Sequence, residues 1–105
     1  MTVFRNEDRW DVSNVEMSDL GSVRVYDKKN RTPQMQHIDY GLGVFRATAF
    51  DRVPMDWPFD LADLFQQLLR EGELAACEVR ERFYEVGSFD GIEDLTAFLS
   101  LKETR

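Results

Sequence analysis

The sequence predicts a small mixed α+β unit, either a domain of its own or half of an α/β sheet. Three observations predict it. Short runs of β-branched and aromatic residues recur through the first half, a strongly amphipathic helical stripe occupies 61–69, and a second helical pattern closes the chain. The order is strand, hairpin, strand, helix, strand, strand, helix. At 105 residues, 43% hydrophobic and 12% aromatic, the chain is one domain or part of one, with enough apolar material for a core.

Residues 2–5 have strand composition, Asn6-Glu7-Asp8-Arg9 reads as a polar turn, and Trp10 as an anchor. Residues 12–17 and 23–26 read as two short strands. Ser18-Asp19-Leu20-Gly21-Ser22, rich in turn formers, joins them into a β-hairpin. Asp27-Lys28-Lys29-Asn30-Arg31 is the polar exit from the second strand, and its three cations read as solvated loop charges or as an anion site.

The organising stretch is 37–45, His-Ile-Asp-Tyr-Gly-Leu-Gly-Val-Phe, expected as the central strand. Gly41 and Gly43, spaced i and i+2, fall on one strand face and clear it for a neighbouring aromatic ring or for a ligand. Tyr40, Leu42 and Val44 take the other face and are expected to be buried. Residues 47–53 suit one helical turn stopped at Pro54, and Met55-Asp56-Trp57-Pro58 a loop.

The amphipathic helix has the clearest local signals. Asp60 is its N-cap, Asp63 its third residue, and Phe59 with Leu64 a hydrophobic staple. Leu61, Leu64, Phe65, Leu68 and Leu69 form the apolar stripe of a core helix, and Gly72 ends it. Residues 73–79 read as a strand, and 82–86 as another or as its continuation. Gly87 turns the chain, Ser88 caps a last helix, and Ile92, Leu95, Phe98 and Leu99 supply its apolar face.

Thirteen basic against twenty acidic residues leave a net charge of −7. Nothing in that balance attracts a nucleic-acid backbone or an anionic membrane, although a local basic pocket can still hold one small phosphate. The sequence contains no apolar run of membrane-spanning length and no signal peptide, so a cytoplasmic address is expected. Cys77, the single cysteine, is expected as a small buried residue, which excludes a disulfide framework and a thiolate cluster.

Val25-Tyr26-Asp27-Lys28, the 37–45 run and Glu81-Arg82-Phe83-Tyr84-Glu85-Val86-Gly87-Ser88 occur in this order, with Asp60-Leu61-Ala62-Asp63-Leu64 between the last two. Together they resemble the C-terminal half of the sugar-1-phosphate nucleotidyltransferases, most of all the branch that contains D-glycero-D-manno-heptose 1-phosphate guanylyltransferases. The resemblance covers residues 1–105 as a partial domain. It implies half of a Rossmann-like nucleotide-diphospho-sugar transferase fold, seen alone as a β-hairpin, a central strand and two amphipathic helices. It also implies a reaction in which a sugar 1-phosphate attacks the α-phosphate of a nucleoside triphosphate with Mg²⁺ and releases pyrophosphate.

By the same resemblance Lys28 is the catalytic cation on the sugar phosphate, and Asp27 beside it a sugar-hydroxyl partner. Asn14 and Gly41 line the pocket, Asp39 reaches a sugar hydroxyl, and Glu85 is a Mg²⁺ carboxylate. The chemistry agrees, since an ammonium suits a phosphate and a hard carboxylate suits Mg²⁺. Without the resemblance Glu85 is a surface acid at a strand end.

The glycine-rich triphosphate loop of that family and its first metal aspartate are absent from the sequence. A truncated or split enzyme is therefore expected, with Met1 internal to its parent and no activity in the isolated chain. A separate N-terminal half or self-association would supply its partner. The alternative is a non-catalytic remnant that binds a sugar phosphate or another protein.

Overall fold

In the computed structural model the central strand is not the glycine stretch but β1 (Thr2–Phe4), with strand order β4-β1-β5. The structure describes residues 1–54, 56 and 58–103; Met55 and Trp57 of the expected 55–58 loop lie outside them. β1 runs antiparallel to β4 (Ile38–Asp39), with Val3 opposite Asp39, and parallel to β5 (Cys77–Val79), with Val3 opposite Glu78. The hairpin forms a second sheet from β2 (Val15–Met17) and β3 (Val23–Tyr26), with a bulge between Glu16 and Met17. A bridge from Val15 to His37 joins the two sheets. The molecule is a small mixed α+β unit of short strands and two helices.

The glycine stretch is strand for only two residues. Asp39 accepts the Gly41 N–H through its Oδ1 at 2.9 Å, and Gly41 adopts φ +96°, a turn that ends the ladder. Beyond the turn the two faces no longer alternate, so Leu42 (61% exposed) and Val44 (87%) face solvent instead of the core. Gly43 is the one closely approached glycine of the stretch: a Cβ there would lie 2.9 Å from the Phe45 ring. Of the two readings of that cleared surface, the neighbouring aromatic ring describes Gly43, while Gly41 opens onto free space.

The first hairpin strand is also shorter than its composition suggests. Residues 6–13 are drawn into a polar knot in which Ser13 donates to Asn6 Oδ1 at 2.6 Å, and both residues are fully buried. Asp8 closes it, accepting the Ser13 N–H at 2.8 Å and pairing with Arg31 at 2.5 Å. Glu7, Asp8 and Trp10 all take positive φ to make this possible. Trp10 is an anchor, but at the edge: 39% exposed, its ring meets Phe4 and Phe83 at 6.0 Å and stacks under the Arg82 guanidinium at 3.9 Å.

Residues Ala47–Arg52 form a 3-10 helix, as the single-turn reading requires. Helix α1 (Leu61–Arg70) follows its sequence signals closely. Asp60 accepts the Ala62 N–H at 2.9 Å. At the other end Gly72 (φ +70°) donates to Leu69 O and Glu73 to Leu68 O, the paired bonds of a Schellman ending. Leu64, Phe65 and Leu68 are buried against Val3, Val15, Val23, Tyr26 and Leu74, which make the core. Leu61, in the first turn, stays exposed.

Past α1 the expectations weaken. Residues 73–79 yield only β5, with an isolated bridge from Ala75 to Ser22, and 82–86 form no strand. Cys77 is exposed, not buried, because β5 is an edge strand. Helix α2 (Phe89–Glu103) starts where predicted, with Ser88 Oγ accepting the Gly91 N–H at 3.1 Å. Its apolar face does not enter the core: none of its described residues is buried, and Phe89, Ile92, Leu99 and Leu101 are exposed. Its ties to the body run through 82–84, by Tyr84 stacked on Phe98 at 4.8 Å and Arg82 beside Asp94 at 3.4 Å.

Candidate functional site

β3 ends in Tyr26, whose ring is buried against Phe65 of α1 at 5.6 Å. The Gln66 amide of α1 donates to the Tyr26 carbonyl and fixes that end. Burial pushes the Tyr26 phenol above its ordinary value. The charge of Lys28 opposes this, and the carboxylates of Asp39 and Asp60 add to it.

Asn14 braces the same corner from the hairpin. Its N–H donates to His37 O at 2.9 Å, its carbonyl accepts the Asp27 N–H at 3.0 Å, and its Oδ1 accepts the Asp39 N–H at 3.0 Å. Among the described residues its side-chain NH₂ has no hydrogen-bond partner. Asp39 in turn holds Gly41. The structure therefore brings together Asn14, Asp27, Lys28, Asp39 and Gly41.

Asp27 does more for its own loop than for the pocket. Its Oδ1 accepts the N–H groups of Lys29 at 2.8 Å and Asn30 at 3.0 Å, and these bonds hold its carboxyl below the usual carboxylate range. The effect is to fix the turn that carries Lys28. Arg31 is committed elsewhere, donating to Ser13 O and pairing with Asp8.

Glu85 is not part of this group. It lines a separate cavity of about 400 Å³ with Trp10, Arg82, Asp90, Glu93 and Asp94, which contains none of the other five candidate residues. Its Oε1 accepts the Gly87 N–H at 2.5 Å. Among the described residues no three histidine, cysteine or acidic side chains are placed together to hold a metal ion.

Tyr26 is the member the sequence reading passed over. A tyrosine closing a strand next to Asp27-Lys28 reads as core, and in the structure it is core, with its phenol affected by the charges of Lys28, Asp39 and Asp60. A helix cap such as Asp60 likewise gives no hint of a second neighbour. No helix among the described residues is long and apolar enough to cross a membrane. Comparison with family models, with curated proteins and with solved structures returns no match for this chain.

Proposed function

We propose that this chain is the sugar-phosphate-binding half of a sugar-1-phosphate nucleotidyltransferase with a Rossmann-like parent fold. The observation that carries the reading is the hydrogen-bonded linkage of Asn14, Asp27, Asp39 and Gly41 at the strand end that leads into Lys28. One ammonium, one free amide donor and one carboxylate at a strand end are the groups a phosphate with an adjacent polyol needs. Lys28 would hold the phosphate and Asn14 donate to a hydroxyl. Asp39 would accept one, and Asp27 would hold the Lys28 turn in place.

Nucleotidyl transfer needs charge neutralisation by cations and metal in line with the departing group. Lys28 alone supplies too little, and the Glu85 carboxylate lines a cavity that does not include Lys28. Glu85 would be one carboxylate towards Mg²⁺ only with further ligands from outside these residues. The isolated chain is accordingly expected to bind without turning over. That same separation favours the second reading, a sugar-phosphate-binding remnant, over an active fragment.

The test is calorimetric titration of the chain with mannose 1-phosphate, beside an assay of pyrophosphate release from each nucleoside triphosphate. Binding that is lost in Lys28→Ala, together with no pyrophosphate above that control, is the expected result. No binding at millimolar sugar phosphate would remove the reading, and pyrophosphate release would remove the half-site conclusion.

A further inference from the structure

A cavity of about 470 Å³ opens between the segment after the glycine turn, the 3-10 helix, α1 and the 73–75 strand entry. None of Asn14, Asp27, Lys28, Asp39, Gly41 or Glu85 lines it, so the proposed function leaves it unused. Its size falls within the range of small-molecule pockets, on the order of 300–1,000 Å³. Phe65, Leu68 and Leu74 of the core form its floor, and the Phe45 ring, 5.4 Å from Phe65, forms a wall. Two arginines stand in its lining, and they differ. Arg52 is taken: its Nη1 pairs with Glu71 Oε1 at 2.5 Å, and that bond raises the affinity of the guanidinium for its proton. Arg46 has no hydrogen-bond or ion-pair partner for its guanidinium among the described residues.

We propose that this cavity binds a small monocarboxylate with an aromatic or short aliphatic body. The apolar floor takes the body, and the uncommitted Arg46 fork takes the carboxylate as a bidentate partner. The acid in the lining favours a monoanion. Arg52 is balanced by Glu71 and the Met1 ammonium donates to Ala75 O at 3.0 Å, which leaves Arg46 as a side chain open to an anion, with Glu73 in the same lining. Glu73 repels a phosphate dianion about twice as strongly as it repels a carboxylate.

The experiment is a ¹H–¹⁵N NMR titration of the full chain with 4-phenylbutyrate, its neutral amide and inorganic phosphate. The acid is expected to shift the amides of 44–49 and 65–75 saturably and to bind about tenfold tighter than the amide. In Arg46→Gln, a surface change that leaves the core intact, the acid should fall to the affinity of the amide, with the amide itself unchanged. Equal binding of acid and amide, an indifferent Arg46→Gln, preference for phosphate, or shifts confined to the Lys28 corner would each overturn the proposal. So would no shift up to several millimolar acid.

Discussion

Asp27 shows how one carboxylate can prepare a site without touching a ligand. Its bonds to the Lys29 and Asn30 amides favour the charged form, so the folded chain binds a proton there less readily than the unfolded chain does. Asp8, bonded to Ser13 and Arg31, is depressed in the same direction. The stabilisation from both is complete above the ordinary aspartate value of 3.8 and is lost as pH falls below it through the folded values. Melting temperature followed from pH 6 to pH 2 should drop below pH 4, and should drop less steeply in Asp27→Asn. Parallel curves for the two proteins would mean that the turn does not depend on that charge. The family resemblance, and no local pattern, singles out Lys28, Asn14, Asp39 and Gly41, and the structure links Asn14, Asp39 and Gly41 by hydrogen bonds. Tyr26 is passed over because its aromatic ring at a strand end reads as core.

At the scale of elements, α1 was legible and α2 only half so, for one reason. Caps are written in neighbouring residues, whereas burial of a face depends on what lies opposite. Asp60 and Gly72 close α1 as their positions demand, and Asp60→Ala should cost about 1 kcal/mol in urea denaturation. The Ser88 cap of α2 forms equally well, yet Ile92 and Leu99 find no core beneath them. Its attachment depends instead on Gly91, where any Cβ would collide with the carbonyl of Glu85. Gly91→Ala should therefore strip amide protection from 89–95 in hydrogen exchange while leaving α1 protected. Loss of protection in both helices at once would show that α2 belongs to the same cooperative unit. The glycine stretch misled because alternating β-branched and aromatic residues outvoted Asp39, whose side chain captures the Gly41 amide and turns the chain. Cys77 misled because a cysteine on an edge strand does not share the burial habits of cysteines at large.

The whole molecule is more open than its length warrants. A closed domain of about 100 residues has a radius of gyration of about 13 Å, against 15.7 Å here. Its accessible surface would be about 6,100 Å², against 7983 Å². The excess includes Phe89, Ile92, Leu99 and Leu101 on α2 and Leu42 and Val44 past the glycine turn. Apolar surface of this kind favours association. Light scattering should report a mass that rises with concentration, and Leu99→Glu should lower it. A constant monomer mass across the range would mean that the open face is tolerated as it stands.

The parallel pairing of Thr2 with Cys77 sets the tempo at which all of this is reached. The middle strand of its sheet cannot be flanked on both sides until residues 77–79 have been made and brought back to residues 2–4, and that long closure is slow. The hairpin and α1 pack over much shorter separations, so they should acquire exchange protection early in refolding while β1 and β5 acquire it last. Pulse-labelled refolding that protects β1 first would reverse this order. Until the seam between β1 and β5 closes, a nascent chain presents two unzipped edges, and that interval is when it is most exposed to mispairing with its neighbours.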